Sequence, residues 1–175
     1  MTFDPQTIEH LGVKMYSQIP SAIAELIANS YDADAKSVSI NLVDSGGEKS
    51  IELTDDGVGM NFEEVNEKFL RIGRNRRKEG AGASPGGRIA TGKKGLGKLS
   101  LFGLADLIEI TTKKADSETA VNLILSWEDL RATKGQDYLP KYHEEKRAAD
   151  VHGTVVELRK LRRESPFDAE GLAIS

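Results

Sequence analysis

The sequence predicts one domain of the α/β class, and three observations support this prediction. Residues 19–32 carry apolar side chains at helical spacing, so one face of this helix is expected to pack on a sheet. Two strand-like stretches, residues 37–43 and 50–54, follow the helix and predict a hairpin. The chain has 175 residues, which is enough for one domain with its own apolar core.

Local patterns define the elements of the N-terminal part. Residues 5–16 are weakly helical and precede the clearer helix. The predicted apolar face of that helix consists of Ile19, Ile23, Leu26, Ile27 and Ser30. The segment Asp44-Ser45-Gly46-Gly47 has the composition of a turn, and we therefore expect it to join the two strands of the hairpin.

The middle of the chain is predicted to be a helix followed by a long polar loop. Asn61 can cap a helix that runs to about residue 72, with Glu63 and Glu64 in the first turn, where the helix dipole favours acids. Residues 73–97 are rich in Gly, Arg and Lys and poor in large apolar side chains. A segment of this length is too long for a simple connector, and such loops are usually functional or disordered.

The C-terminal part is predicted to contain a short helix, further strands and a charged insertion. The helix covers residues 96–104, and the insertion covers residues 128–152. Strands are predicted near residues 107–112, 120–127 and 154–158.

Composition and charge exclude several classes of function. The formal net charge of −4 gives no overall basic field that would draw the domain onto nucleic acid. The absence of cysteine excludes a disulfide framework, a thiolate metal site and cysteine catalysis. No apolar run approaches the roughly 20 residues that span a bilayer, and the N-terminus lacks a signal-peptide profile. We therefore expect a cytoplasmic protein without membrane contact.

The segment ELIANSYDADA carries the first candidate site residues. Glu25, Asn29 and Asp32 lie at i, i+4 and i+7 and project from one side of the helix, opposite its apolar face. One interpretation is a solvated polar face, which is common on amphipathic helices. The other is a phosphate site, in which the Asn29 amide oxygen binds Mg²⁺ and the Glu25 carboxylate orients or deprotonates a water.

The segment LTDDGVGM carries the second group, Asp55, Gly57 and Gly59, directly after a predicted strand. An ordinary acidic turn is one interpretation, because Asp-Gly pairs are common in turns. In the functional interpretation the glycines let the backbone approach a flat base. Asp55 then accepts a hydrogen bond from an exocyclic amine of that base.

The segment ATGKKGLGKLS carries the third group, in which glycines lead into a helix. Free backbone N–H groups and the helix N-terminus can hold phosphate oxygens there. The residues of this group are Gly92, Gly95 and Gly97, with positive charge from Lys93, Lys94 and Lys98.

Residues 92–98 also match the start of the P-loop pattern G-x-x-x-x-G-K. The next residue is Leu99 instead of Ser or Thr, so the hydroxyl that would bind magnesium is misplaced. No buried strand precedes the segment, and a P-loop is therefore a poor fit.

Taken in order, these motifs resemble the GHKL superfamily, whose members include gyrase B, heat-shock chaperone, histidine kinase and MutL ATPases. Residues 25–35 look most like the MutL and microrchidia (MORC) versions, whereas DDGVGM and GKKGLG look more like the chaperone version. A fourth match, HGTVVELRKL, resembles the strand that places a threonine, here Thr154, beside the adenine-binding aspartate.

The resemblance implies a Bergerat fold, a two-layer α/β sandwich with helices on one face of a mixed, mainly antiparallel sheet. It implies that Glu25 is the water-activating base, Asn29 the Mg²⁺ ligand and Asp55 the residue that reads adenine. Gly57, Gly59 and Met60 would shape the base pocket. Asp32 would contact the ribose side or brace the pocket, or have only a structural role at the end of the helix.

The phosphate end of the site is implied in the same way. The nucleotide contacts there would come from Gly92, Lys94, Gly95, Leu96, Gly97 and Lys98. Residues 73–97 would form the ATP lid, where the basic cluster at 74–78 either helps to neutralise phosphates or is an ordinary solvated loop. Relatives often carry Ile-Gly-x-Ser-x-Lys after the preceding helix, whereas this chain has Ile72-Gly73-Arg74-Asn75-Arg76-Arg77. The role of Asn75 is therefore open.

The implied function is ATP binding and slow Mg²⁺-dependent ATP hydrolysis, with lid closure and homodimerisation as the output. We expect residues 1–175 to be one ATPase domain of a larger protein. A following transducer-like domain would supply a lysine or arginine to the γ-phosphate, and the full protein would have possible DNA contacts. The alternatives are a non-catalytic ATP sensor and a histidine-kinase catalytic domain, although no histidine has the setting of a phosphoacceptor.

Overall fold

The structure of this protein is a computed structural model, and it describes only part of the chain. The described residues are 19–45, 47–69, 84–89, 101, 103–133, 138–148, 150–162 and 167. The predicted helix at 5–16, the glycine-rich segment at 92–98 and most of the predicted lid lie outside them.

Helix α1, Ile19–Asp32, has the bounds that the sequence predicts. Pro20 is in its first turn, where the missing N–H has no intrahelical partner to lose. The buried residues are Ile19, Ala22, Leu26 and Ser30. Ile27 was wrongly assigned to the buried face, because it lies at the margin of this stripe and its exposed fraction is 41%.

The predicted hairpin is confirmed, and both strands are longer than predicted. Strand β1, Val38–Ser45, pairs antiparallel with strand β2, Glu48–Asp55. Ser45 lies opposite Glu48, and Gly47 has a φ of +85°, which a tight turn between two such strands requires. The hairpin therefore closes where the turn-forming composition predicts, and β2 ends at the first acid of DDGVGM.

Asn61 caps helix α2, Phe62–Glu64, as predicted. Its side chain accepts a hydrogen bond from the Glu64 N–H, and the Glu64 side chain accepts one from the Asn61 N–H, which completes a capping box. The chain continues as one π-helical turn, Val65–Phe69. Residues 70–72, the end of the predicted helix, lie outside the described part.

The other strands complete one six-stranded sheet. They are β3, Ala105–Lys113; β4, Thr119–Ser126; β5, Lys141–Lys146; and β6, Gly153–Leu161. The strand order is β1-β2-β6-β3-β4-β5, and all the pairings between these strands are antiparallel. Strand β6, the last in the chain, lies between β2 and β3 and brings Thr154 opposite both Asp55 and Thr112.

Two features of the region after β4 differ from the prediction. The strand ends at Ser126, and Trp127 begins helix α3, Trp127–Ala132, because the Ser126 side chain accepts from the Asp129 N–H as an N-cap. The charged insertion contains β5, which the sequence analysis did not predict. Most residues of this edge strand are exposed, and its sequence KYHEEK has no alternation of apolar residues that would indicate a strand.

One face of the sheet packs against α1 to form the core. Ile51 and Leu53 of β2, Ile108 and Ile110 of β3, and Leu158 of β6 are fully buried and cluster with the buried stripe of α1. The predicted two-layer α/β class is confirmed. Within the described ranges, none of the helices has the length and the apolar composition that crossing a membrane requires.

Candidate nucleotide-binding site

Asp55 is a buried carboxylate at the end of β2, with an exposed fraction of 8%. Its Oδ1 accepts hydrogen bonds from the N–H groups of Gly57, at 2.9 Å, and Thr154, at 3.2 Å. Its Oδ2 accepts from the Ser30 hydroxyl of α1 at 2.8 Å. An ionised carboxylate has about four acceptor positions, so these bonds fix its orientation and leave room for one more donor.

The loop after Asp55 lies very close to other backbone segments at its glycines. A Cβ atom on Gly57 would lie 2.7 Å from the Ala33 carbonyl oxygen, and one on Gly59 would lie 1.9 Å from that of Lys113. Gly59 also has a φ of +63°. Packing within the protein is therefore enough to require glycine at both positions. That their backbone approaches a base stays a prediction.

Thr112 of β3, which the sequence analysis did not select, connects three parts of the site. Its side chain is 1% exposed, and its Oγ1 accepts from the Met60 N–H at 3.0 Å. The same oxygen lies 3.0 Å from Thr154 Oγ1 and 3.3 Å from the Gly153 carbonyl oxygen. Thr112 can donate to Gly153 while it accepts from Thr154 and Met60, which satisfies every contact. The signal in the sequence that could have indicated Thr112 is a threonine near the end of an apolar strand.

The polar side of α1 flanks the buried stripe and does not lie opposite it. Successive residues of an α-helix are about 100° apart, and Glu25 and Asn29 directly precede the buried Leu26 and Ser30. Glu25, Asn29 and Asp32 are accordingly half-buried, whereas a solvated face would be fully exposed. Because Ser30 contacts Asp55, Asn29 lies on the turn of α1 nearest that carboxylate, and Glu25 lies about 6 Å further along the axis.

Asp56, next to Asp55, points to different partners. Its Oδ1 accepts from the N–H groups of Ser37, at 2.8 Å, and Lys36, at 2.7 Å. These hydrogen bonds, with the Ser37 bond as the largest contribution, and the nearby His152 hold the pKa of Asp56 below its ordinary value. The first acid of DDGVGM is therefore enclosed within the candidate site, whereas the second ties the loop to the segment between α1 and β1.

His152 also contacts this loop, although the sequence analysis gave it no role. Its Nδ1 lies 2.9 Å from the Gly57 carbonyl oxygen, so Nδ1 carries a proton that it donates to that oxygen. The loop is thus held by Ala33 directly after α1, by Thr112 of β3 and by His152 just before β6. Only the folded chain brings these segments together, and local sequence gave no signal for the histidine.

The structure brings most of the predicted base-site residues together. Asp55, Gly57, Gly59, Met60 and Thr154 surround the end of β2, and Asn29 lies on the adjoining turn of α1. The predicted phosphate contacts lie outside the described residues. They are Gly92, Lys94, Gly95, Leu96, Gly97 and Lys98.

The chain matches the model of a known protein family. The family model described as "Histidine kinase-, DNA gyrase B-, and HSP90-like ATPase" matches residues 16–154, which is most of the chain. The GHKL resemblance seen in the sequence is thereby confirmed.

Individual relatives are similar to parts of the chain. A protein of Herpetosiphon aurantiacus, which is assigned as the type II restriction enzyme HgiDII, is 40% identical over 65% of this chain and 18% of its own length. The ATPase morc-1 of Caenorhabditis elegans is 54% identical over 26% of this chain and 5% of its own length. The DNA mismatch repair protein MutL of Methanocorpusculum labreanum is 36% identical over 35% of this chain and 11% of its own length.

One solved structure has a fold similar to that of this chain. The crystal structure of the N-terminal domain of a DNA repair protein has a TM-score of 0.60 at 22% identity. The match covers 89% of this chain and 39% of that chain. The chain therefore spans less than a fifth of the length of the relatives named above and well under half of this solved chain.

Proposed function

We propose that this chain, which belongs to the family of histidine kinase-, DNA gyrase B- and HSP90-like ATPases, binds ATP with Mg²⁺ and hydrolyses the bond between its β- and γ-phosphates. The observation that carries this proposal is the Asp55 carboxylate. It is buried, it is oriented by three described hydrogen bonds, and it retains capacity for one more donor. The exocyclic amine of adenine is a donor of the required kind.

The base end of the site would be formed by the loop after Asp55. Gly57, Gly59 and Met60 supply its backbone, and Thr154 adds a hydroxyl beside the carboxylate. Thr112 holds the Met60 N–H and lies 3.0 Å from the Thr154 hydroxyl, so it fixes both walls without needing to contact the base. This rigidity supports adenine selectivity, because a preorganised site loses less conformational freedom on binding.

The donor chemistry at the other end of the site fits Mg²⁺. The metal prefers hard oxygen ligands and usually keeps waters and substrate phosphates in its coordination shell, so few protein ligands are needed and the Asn29 amide oxygen would be one of them. When bound, the ion neutralises charge on the phosphates. The Glu25 carboxylate, one helical turn away on the same half-buried side of α1, would accept a proton from the attacking water.

The remaining contacts are proposed from the glycine-rich segment. The backbone N–H groups of Gly92, Gly95, Leu96 and Gly97 would hold phosphate oxygens, with charge from Lys94 and Lys98. Asp32 would brace the ribose side. All of these assignments rest on motif position.

The chain would act as one module of a larger protein. Relatives named for mismatch repair and for restriction support a DNA-related process, in which ATP closes the lid formed by residues 73–97 and promotes homodimerisation. A transducer-like domain and a DNA contact would lie in other parts of that protein. A basal ATPase rate that rises on dimerisation is the expected behaviour.

The test separates binding from hydrolysis. Mg-ATP binding by calorimetry and phosphate release would be measured for the wild-type chain and for Glu25→Ala, with Glu63→Ala, an exposed acid on α2, as the matched control. Loss of a general base lowers turnover about 10²-fold or more while binding is preserved. EDTA should stop turnover in every variant.

Each other outcome contradicts a specific part of the proposal. Equal turnover in wild type and Glu25→Ala would remove Glu25 as the base. Binding without turnover in the wild type would identify a nucleotide sensor instead of an ATPase. Absence of adenine-nucleotide binding would reject the proposal as a whole.

A further inference from the structure

A short turn in the middle of the predicted lid packs against the end of α1. In residues 84–88, the Ser84 N–H donates to the Arg88 carbonyl at 2.8 Å and the Gly87 N–H donates to the Ser84 carbonyl at 2.9 Å. The Arg88 N–H donates to Ser84 Oγ at 2.9 Å. The turn is therefore closed by its own hydrogen bonds before any contact with the helix is counted.

Arg88 caps the C-terminal end of α1. Its Nη1 donates to the carbonyl oxygens of Tyr31, at 3.2 Å, and Ala35, at 2.9 Å. The guanidinium carbon lies 4.7 Å from the centre of the Tyr31 ring, within the range of a cation–π contact. Carbonyl groups at a helix end carry partial negative charge, so a cation here stabilises the end of the helix.

Asp34 holds the turn from the other side. It follows α1 with a φ of 60°, and its carboxylate accepts from the Ser84 hydroxyl and from the Gly86 N–H, the latter at 2.7 Å. Arg88 Nε lies 3.8 Å from the same carboxylate. The Ser84 hydrogen bond is the main cause that holds the pKa of Asp34 below its ordinary value, followed by the Gly86 N–H and Arg88 among the lowering contributions.

The opposite side of this helix end contacts the loop that follows Asp55. The Ala33 carbonyl accepts from the Val58 N–H at 2.9 Å and lies against Gly57, with no room for a Cβ atom. Residues 31–35 therefore lie between the Ser84–Arg88 turn and the loop that follows Asp55. A displacement of this helix end would move the Ala33 carbonyl and, with it, that loop.

We propose that Arg88 is a positioning residue for nucleotide binding, which fixes the end of α1 and, through Ala33, the loop that forms the base pocket. The inference rests on the proposed function and assigns Arg88 no direct contact with the nucleotide. It also makes residues 84–88 a fixed attachment point within the segment interpreted as the lid. Loss of the side chain should loosen the loop first and weaken nucleotide binding as a consequence.

Hydrogen exchange of the Val58 amide tests the first step without any nucleotide. In Arg88→Ala, exchange at Val58 should accelerate about tenfold relative to amides of the β3–β4 pair, which serve as an internal reference for folding. Arg147→Ala is the matched control. Arg147 directly follows β5, and the described contacts of its side chain are with the nearby Glu145 alone. Unchanged exchange at Val58 in Arg88→Ala overturns the inference.

Calorimetry with Mg-ADP tests the second step. Arg88→Ala should raise the Kd about tenfold, Arg88→Lys should have a smaller effect because it keeps the charge, and Arg147→Ala should leave the Kd unchanged. Equal Kd values for wild type and Arg88→Ala reject the positioning role and leave the proposed function standing. If the wild-type chain binds no ADP, the proposed function and the role of Arg88 in it fail together.

Discussion

The two ends of the sheet carry polar clusters that differ in burial and in the type of partner. At one end the Asp55 carboxylate is enclosed and is held by backbone N–H groups and a serine hydroxyl from three separate segments. At the other end Arg162 pairs with Asp106, and their side chains are 29% and 47% exposed. The Arg162 guanidinium also lies 4.9 Å from the centre of the Trp127 ring.

This difference indicates where structure and function are coupled. A buried carboxylate is costly unless it is hydrogen-bonded, so the Asp55 end forms only when α1, β2 and β6 are correctly assembled. A surface ion pair contributes little, because water and salt screen it. Substitutions at the Asp55 end should therefore change stability and nucleotide binding together, whereas those at the Trp127 end should have small effects.

The largest effect on stability is expected for Gly59→Ala. The new Cβ would lie 1.9 Å from the Lys113 carbonyl oxygen, at a residue with a φ of +63°. We expect a loss of about 3 kcal/mol in the free energy of unfolding, measured by urea denaturation.

Gly47→Ala is the matched control for this prediction. Gly47 has a φ of +85°, but no atom outside its neighbours lies within 4 Å of the added Cβ. The conformational cost alone should be about 1 kcal/mol. Equal losses for the two variants would show that the close approach of Gly59 to Lys113 is unimportant.

A smaller loss is expected for Thr112→Val, which removes the hydroxyl that connects Met60, Gly153 and Thr154. The partly buried Met60 N–H would lose its acceptor, at a cost of about 1 to 2 kcal/mol in the free energy of unfolding. Thr54→Val is the control and should change stability little, because Thr54 of β2 lies on the other face of the sheet from Thr112. A Thr112→Val protein as stable as wild type would contradict the role of Thr112 as a structural link.

Asp56→Asn should have a pH-dependent effect. Because folding lowers the pKa of Asp56 below its ordinary value of 3.8, its stabilising contribution is present above that value and is lost as the pH falls through the folded-state pKa. The stability difference between wild type and Asp56→Asn should be largest near neutral pH and should shrink in acid. Urea denaturation at a series of pH values measures this difference, and a constant difference would refute the prediction.

The smallest effect is expected for Arg162→Ala at the opposite end of the sheet. Loss of its exposed ion pair and of the contact with Trp127 should cost at most about 1 kcal/mol in the free energy of unfolding. Nucleotide affinity should be unchanged. A loss as large as that of Thr112→Val would remove the proposed contrast between the two ends.

Local patterns in the sequence predicted much of the fold. The apolar stripe of α1, the hairpin turn and the Asn61 cap depend on residues that are near one another in the chain. Each is confirmed, except that Ile27 is not part of the buried stripe. Strand β5 was not predicted, because an edge strand exposed on both faces has no apolar alternation. That the whole chain forms a single domain stays a prediction.

The sequence predicted the site residues that belong to motifs. It did not predict those whose role depends on tertiary contacts. Asp55 and Thr154 belong to recognisable motifs, and β6 brings them together. Thr112, His152 and Arg88 belong to no recognised motif. Thr112 and His152 act through contacts with residues between 41 and 95 positions away in the sequence. Arg88 acts through its contacts with the end of α1. Propensity and spacing along the chain contain no information on such contacts.

The most direct test of the central claim is calorimetric titration of Mg-ADP into the wild-type chain and Asp55→Asn. The substitution keeps the size of the side chain but replaces an acceptor oxygen with an amide that donates, so the adenine amine and at least one internal donor lose their partner. We expect saturable binding by the wild type and an affinity at least about 100-fold weaker for the variant, with the variant still folded. Equal affinities for the two proteins would contradict the assignment of Asp55, and of this end of the sheet, as the adenine site.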